Sequence, residues 1–401
     1  MNKRKVRALY LGVVGLANIG GWIYLLALNL IILDKTGSVL AVTGLYIIKP
    51  FASMLIGPWA GSMIDRVSTK HLMIFLDIIR AILVASLLFV DSLWVIYLLV
   101  LFIQMAGAIF ETSSFTYMTL LLPEEDRNKF NAVLTFVHSG AFVTGPFLAG
   151  ILFMLAPLEF SLVINVLIFI CCGIWTIFLP NILNTIPEVK KHLHVKEVRE
   201  DWYAVWNFSK KYLSFFFIYM TFQGTMLVTA ALDSTEVAFA KEVLLLTDAA
   251  YGSLVSIAGL GFLLGAICTN LLVRFLSAKA MMGVGTFFVA SGYFIYSLST
   301  SYFAASIGFF ALSFSLSIAN TGFMTYIQSR IHSNMMGRIT SLYEMISSFV
   351  QIVAVLLFGL VASLVSVKVV VIGGSILMLL GSCYLILITW RISKTRGFEA
   401  L

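Results

Sequence analysis

The first 33 residues read MNKRKVRALYLGVVGLANIGGWIYLLALNLIIL. Four cations, Lys3, Arg4, Lys5 and Arg7, stand at the front, and the run from Ala8 to Leu33 then carries no charge. A secretory leader has an apolar stretch of roughly 7 to 15 residues that ends at a small-residue cleavage site. This stretch is longer and has no such site. It has the length of a membrane span, which needs about 17 to 25 mostly apolar residues. It therefore reads as a retained first span.

The same pattern repeats along the chain. Twelve runs have span length: 8–33, 39–63, 72–90, 93–121, 131–155, 160–180, 212–232, 251–273, 280–298, 302–327, 339–364 and 369–390. Sixty per cent of the 401 residues are apolar and 11% are charged, against about one quarter charged in ordinary soluble proteins. No single soluble core could hide so much apolar surface, whereas lipid solvates one face of each helix. Two connections are long, 181–211 and 233–250, and the first divides the chain into similar halves. The expected domains are a six-helix bundle over 1–180, a linker over 181–211 and a second bundle over 212–401.

Lysine and arginine set the orientation. With the N-terminus in the cytoplasm, the inner segments hold twenty-one of them and the outer segments three, Lys35, Lys241 and Lys368. Both termini and residues 181–211 are thus expected on the cytoplasmic side, with 233–250 outside. Trp94 and Trp390 sit at span ends, as interfacial anchors do. Trp202, Trp206, Lys210 and Lys211 suggest an amphipathic helix on the inner leaflet, a solvated connector being the other reading. The formal charge of +7 is scattered through short connections and forms no basic domain, which argues against nucleic-acid binding. Cys171, Cys172, Cys268 and Cys383 lack metal-ligand or disulfide spacing and read as small core hydrophobes. There is no P-loop, HExxH or GxSxG pattern. No catalytic residue, no metal site and no ATP-driven step are expected, and the chain does not read as an enzyme.

Two motifs carry function. Between spans two and three stands Gly61-Ser62-Met63-Ile64-Asp65-Arg66-Val67-Ser68-Thr69-Lys70. Gly61 allows close helix approach, and Asp65 suits a neighbouring helix N-terminus. In span five, Gly145, Pro146 and Gly150 stand with the small residues Ala141 and Ala149. Pro146 leaves a backbone carbonyl unpaired and bends the helix. A worn copy of the first motif follows 204 residues later, where Gly261, Gly265, Thr269, Asn270 and Arg274 answer Gly57, Gly61, Asp65, Arg66 and Lys70. Such repeats are expected of two bundles enclosing a central site.

The first motif resembles the loop signature of the major facilitator superfamily. Gly61, Asp65, Arg66 and Lys70 match it, while Ser68 replaces a glycine and Thr69 a basic residue. The second resembles the family's antiporter signature through Gly145, Pro146 and Gly150. Leu33-Asp34-Lys35-Thr36-Gly37-Ser38, Asp77-Ile78-Ile79-Arg80-Ala81 and Pro123-Glu124-Glu125 look most like the macrolide-efflux-like branch of bacterial twelve-span drug:proton antiporters. The resemblance implies an all-α polytopic membrane protein of twelve transmembrane helices in two pseudo-symmetric six-helix bundles. It implies residence in the bacterial cytoplasmic membrane and a gate in which Asp65 meets span eleven, near Ile339. It also implies that spans one, four, seven and ten line the cavity.

Polar groups within spans are costly and mark candidate sites. Glu111 lies well inside span four, with Gln104 seven residues earlier on the same face. Gln104 stands where the family commonly has arginine, and Lys49 in span two might supply that cation. Glu111 therefore has three readings: a proton-coupling site, the partner of Lys49, or a counter-charge for substrate. Asp233 and Glu236, at the outer end of span seven, are further proton-coupling candidates. Asp77 and Arg80, at i and i+3, read as a local structural pair. Glu344 reads as an aid to the gate, and His138 as packing. Asn18, Trp22 and Asn29 share a face of span one. With Lys49, Gln104, Gln223 and Asn320 they are the expected cavity lining, suited to amphiphilic organic molecules, cations included. The expected function is proton-coupled export of drugs or similar small molecules by a monomer, with the lipid bilayer, the substrate and protons as partners and no cofactor beyond the proton gradient. The alternatives are transport of a siderophore, lipid or metabolite in either direction, or, from another class, a polytopic enzyme or receptor.

Overall fold

The computed structural model describes residues 3–64, 67–122, 124–181, 195–331 and 333–394. Helices dominate these ranges because apolar runs in lipid must satisfy every backbone group internally. The described residues hold no strand. They group into two compact units, residues 1–187 with 240–259, and residues 188–239 with 260–401.

The first unit holds α1 (Lys3–Thr36), α2 (Val39–Ile64), α3 (Thr69–Leu87), α4 (Leu93–Leu121), α5 (Glu124–Leu155), α6 (Leu158–Ile177) and the opening turns of α10 (Asp248–Leu272). α1 lies against α5 and α6, and α3 lies between α4 and α6. Gly37, at φ +58°, reverses the chain between α1 and α2, a conformation that glycine adopts freely. At the other end of α1, Tyr10, Met73, Phe110, Tyr117 and Phe130 form a buried core. Their polar ends are satisfied there: Tyr10 lies 2.7 Å from the Ser114 hydroxyl, and Tyr117 donates to the Pro180 carbonyl at 2.8 Å.

The second unit holds α7 (Val195–Lys211), α8 (Leu213–Asp233), the single turn α9 (Glu236–Ala238), the rest of α10, α11 (Ala278–Leu298), α12 (Tyr302–Gln328), α13 (Ser333–Leu364) and α14 (Val367–Lys394). α11 and α12 pack backbone to backbone: a Cβ on Gly308 would lie 2.9 Å from the Tyr296 nitrogen. Phe215, Tyr219, Phe222, Phe323, Tyr326 and Tyr343 form the aromatic core, with Phe222 stacked on Phe323 at 4.0 Å. α7 is a regular helix with Trp202 and Trp206 exposed. Lys210 lies over the Trp206 ring at 5.0 Å, and Ser209 and Tyr343 share a hydrogen bond of 2.7 Å.

Among the described residues, eleven helices are long and apolar enough to cross a membrane, against the twelve spans of the sequence reading. The difference is α3, whose 19 residues include Lys70, Asp77 and Arg80. The cysteines are free, but Cys171 and Cys383 point outward, and only Cys172 is fully buried. For the exposed pair this corrects the reading of core hydrophobes, because outward-facing apolar groups in lipid need no core.

Candidate functional site

One face of the first unit gathers polar groups from three helices. Gln104 and Glu111 lie seven residues apart on α4. Glu111 lies nine residues beyond Phe102, which at about 100° per residue is half a turn round the helix. It therefore opposes the stripe of Trp94, Leu98 and Phe102, all exposed apolar side chains. Glu111 is itself exposed, so its exposure is toward the other side of α4. His138 on α5 lies near enough for the Glu111 charge to act on its imidazole. His138 Nδ1 is also 3.1 Å from the Asn18 side-chain oxygen on α1, while the Asn18 amide donates to the Val14 carbonyl at 2.8 Å. One turn beyond Asn18, half-buried Trp22 stacks on Phe142 of α5, with ring centroids 4.4 Å apart and planes 10° from parallel.

The small residues of α5 explain how the aromatic pair comes so close. A Cβ on Gly145 would fall 2.7 Å from that of Trp22, so only glycine lets α1 and α5 meet there. The adjacent face of α5 meets the opening turns of α10. A Cβ on Gly252 would lie 2.7 Å from the Gly150 Cα and 2.9 Å from the Pro146 oxygen, and one on Gly259 would lie 2.5 Å from the Phe142 oxygen. Pro146, four residues on, has no N–H to offer the Phe142 carbonyl. Ser256 donates to the neighbouring Val143 carbonyl at 2.7 Å. Close by in sequence, Lys241 pairs with Asp248. At the α3–α4 connection, Lys35 holds Asp91 at 2.6 Å and keeps its carboxyl below the usual carboxylate range.

Asp77, Arg80 and Lys70 of this unit serve the helix packing. Asp77 and Arg80 form an ion pair inside the helix packing. The Arg80 guanidinium lies between the rings of Phe110 and Phe169, at 4.2 and 4.4 Å. Among the described residues, one Asp77 oxygen and the Arg80 Nε find no hydrogen-bond partner. Lys70 of the first motif donates to the Ile177 carbonyl at the C-terminus of α6, at 2.7 Å. A cation there satisfies orphan carbonyls and the negative end of the helix dipole. The backbone of Gly61 is helical, whereas Asp65 and Arg66 lie outside the described residues, so the gate contact expected of Asp65 does too.

Three readings change. Lys49 and Glu111 form no ion pair, and Arg80 of α3 lies near enough for the Glu111 charge to act on it. Asn29 is fully buried rather than cavity-lining, and its amide donates to Tyr46 of α2 at 3.0 Å. His138, read as packing, bonds to Asn18 and also lies within reach of the Glu111 charge. The signal was its spacing, four residues before Phe142 and seven before Gly145, which puts it on the face that meets α1.

In the second unit, Tyr293 of α11 donates to the partly buried Asp233 carboxylate. The Tyr296 hydroxyl is 3.4 Å from the Glu236 carbonyl. Gln223 of α8 lines a cleft of roughly 310 Å³ with Glu344 of α13. Asn320 is half-buried on α12 and does not line that cleft.

A model of the Major Facilitator Superfamily matches residues 10–355. Macrolide efflux protein A of Streptococcus pyogenes is 32% identical over 142 residues, which are 33% of this chain and 34% of that protein. The uncharacterized MFS-type transporter YfiS of Bacillus subtilis (strain 168) is 25% identical over 166 residues, 41% of this chain and 40% of its own. Each match thus spans well under half of the relative's length. Among solved structures, a mutant of the nucleoside transporter NupG superposes with a TM-score of 0.77 at 14% identity, covering 97% of this chain and 100% of that one. A bacterial homologue of the human lysosomal transporter Spinster gives 0.73 at 14% identity, covering 99% of both chains. A bacterial homologue of the iron transporter ferroportin gives 0.72 at 16%, covering 98% of this chain and 100% of that one. At these identities the likeness is one of fold.

Proposed function

Because the chain belongs to the major facilitator superfamily, a family of membrane transporters rather than enzymes, we propose that it is a proton-coupled exporter of amphiphilic organic molecules. It works by alternating access in the bacterial cytoplasmic membrane, with both termini inside. The observation that carries this reading is Glu111. It is a carboxylate within a membrane helix, it makes no ion pair among the described residues, and its charge reaches His138, which is bonded to Asn18. An ionisable group placed so is costly and is kept for function. Glu111 takes up and releases the driving proton, and His138 is a titratable group within reach of its charge. Trp22 and Phe142 offer a flat apolar wall to the substrate. The relationship to macrolide efflux protein A over a third of the chain supports export of bulky organic molecules.

One elementary charge crossing 100 mV supplies about 2.3 kcal/mol, enough for a concentration ratio of roughly fifty. Purified protein in liposomes with an imposed pH gradient tests the reading against a panel of amphiphilic compounds. Substrate accumulation should collapse when a protonophore removes the gradient. Accumulation that survives the protonophore, or no transport of any amphiphile, counts against it.

A further inference from the structure

The cleft between α8 and α13 has a chemistry that the coupling site does not use. Glu344, Ser347, Ser348 and Gln351 lie at i, i+3, i+4 and i+7 along α13 and form one stripe. Gln223 faces them from α8, with Met226 and Leu227 at i+3 and i+4 as the apolar wall. The other side of α13 is ordinary lipid-facing helix, where Met345, Ile346, Phe349, Val350 and Val353 are exposed. A polar stripe within such a span needs partners. Yet among the described residues none of these five polar side chains bonds to the facing helix. The stripe therefore does not act as interhelical glue. Among the described residues no lysine or arginine lines the cleft, and Glu344 is the formal charge there.

We propose that this cleft binds the cationic group of the transported molecule, an organic ammonium with hydrogen-bonding substituents, and that Glu344 is its counter-charge. The two carboxamides and two hydroxyls take the substituents, and Met226 and Leu227 take adjoining apolar atoms. Two carboxylates thus divide the work: Glu111 carries the proton and Glu344 the substrate's charge. The inference rests on the reading of an amphiphilic, cation-accepting transporter.

The test is equilibrium binding to the purified full chain of tetraphenylphosphonium, a fixed cation, and triphenylphosphine oxide, a neutral molecule with similar aromatic bulk. Glu344→Gln should weaken binding of the cation by about tenfold or more, as loss of a charge-assisted contact does. It should change binding of the neutral probe by less than about twofold, as expected where only a charge contact is lost. Glu344→Asp, which keeps the charge, should retain most of the cation's affinity, and it serves as the readout if the glutamine variant does not fold. Wild-type affinity of Glu344→Gln for the cation, or equal loss for both probes, overturns the assignment and leaves the coupling reading standing. If wild-type protein binds neither probe, the cation-accepting reading and this proposal fall together.

Discussion

His138 of α5 and Asn18 of α1 are joined at 3.1 Å, and that contact sets an imidazole beside the Glu111 charge. His138→Gln can keep a hydrogen bond to Asn18 but cannot titrate. The pH profile of transport should then flatten over the range where His138 changes charge, while substrate exchange without a gradient persists. An unaltered profile would assign His138 to packing after all.

The Asp77–Arg80 pair predicts an asymmetric response. Asp77→Asn leaves a guanidinium buried between Phe110 and Phe169 without its counter-charge. Removing one partner of a buried pair costs about 3–5 kcal/mol, whereas replacing both by apolar groups is often neutral. The single variant should therefore unfold well below wild type in a thermal scan, and Asp77→Leu with Arg80→Met should recover most of the loss. If the double variant is as unstable as the single, the pair is not the simple structural unit described here.

The meeting of α5 with α10 depends on absent side chains. Gly252→Ala puts a methyl 2.7 Å from the Gly150 Cα, with backbone on that side and no flexible side chain to yield. Overpacking of this kind costs about 1–3 kcal/mol, and transport should fall with stability. Gly107→Ala on α4 and Gly224→Ala on α8 are the controls, because a Cβ at either position meets nothing within 4 Å. Equal behaviour of all three variants would remove the significance given to the Gly145–Gly150 motif.

Orientation is tested by labelling single cysteines in a variant without the four native ones. With both termini inside, a cysteine at Lys241 should react with an impermeant reagent in whole cells, and one at Lys190 only after lysis. The reverse pattern inverts the topology read from the basic bias.

The helices were legible because lipid simplifies the problem: apolar run length alone marks a span. α3 shows the limit, since Lys70, Asp77 and Arg80 lower its apolarity while their contacts lie within the unit. Run length also hides where a helix starts: α5 begins at Glu124 rather than near 131, because a polar first turn outside the apolar run is still helical. Side-chain partners were harder to read. Periodicity put Gln104 and Glu111 on one face of α4, but it could not say whether Lys49 or Arg80 lies near Glu111, because that depends on how α2 and α3 pack against α4. Asn29 was misplaced for the same reason: its face of α1 turns toward Tyr46 of α2. The Glu344–Gln351 stripe was present in the sequence as an i, i+3, i+4, i+7 pattern, and only the opposing Gln223 identified it as a cleft.

The central claim, that Glu111 carries the coupled proton, is tested most directly in liposomes by comparing wild type with Glu111→Gln under an imposed pH gradient. The substitution preserves shape and most hydrogen bonding but cannot change charge. The account predicts that the variant folds, binds substrate and exchanges it across the membrane at equilibrium, yet accumulates none against a gradient. Full gradient-driven accumulation by a stable Glu111→Gln protein would contradict it and direct attention to Asp233 and Glu236.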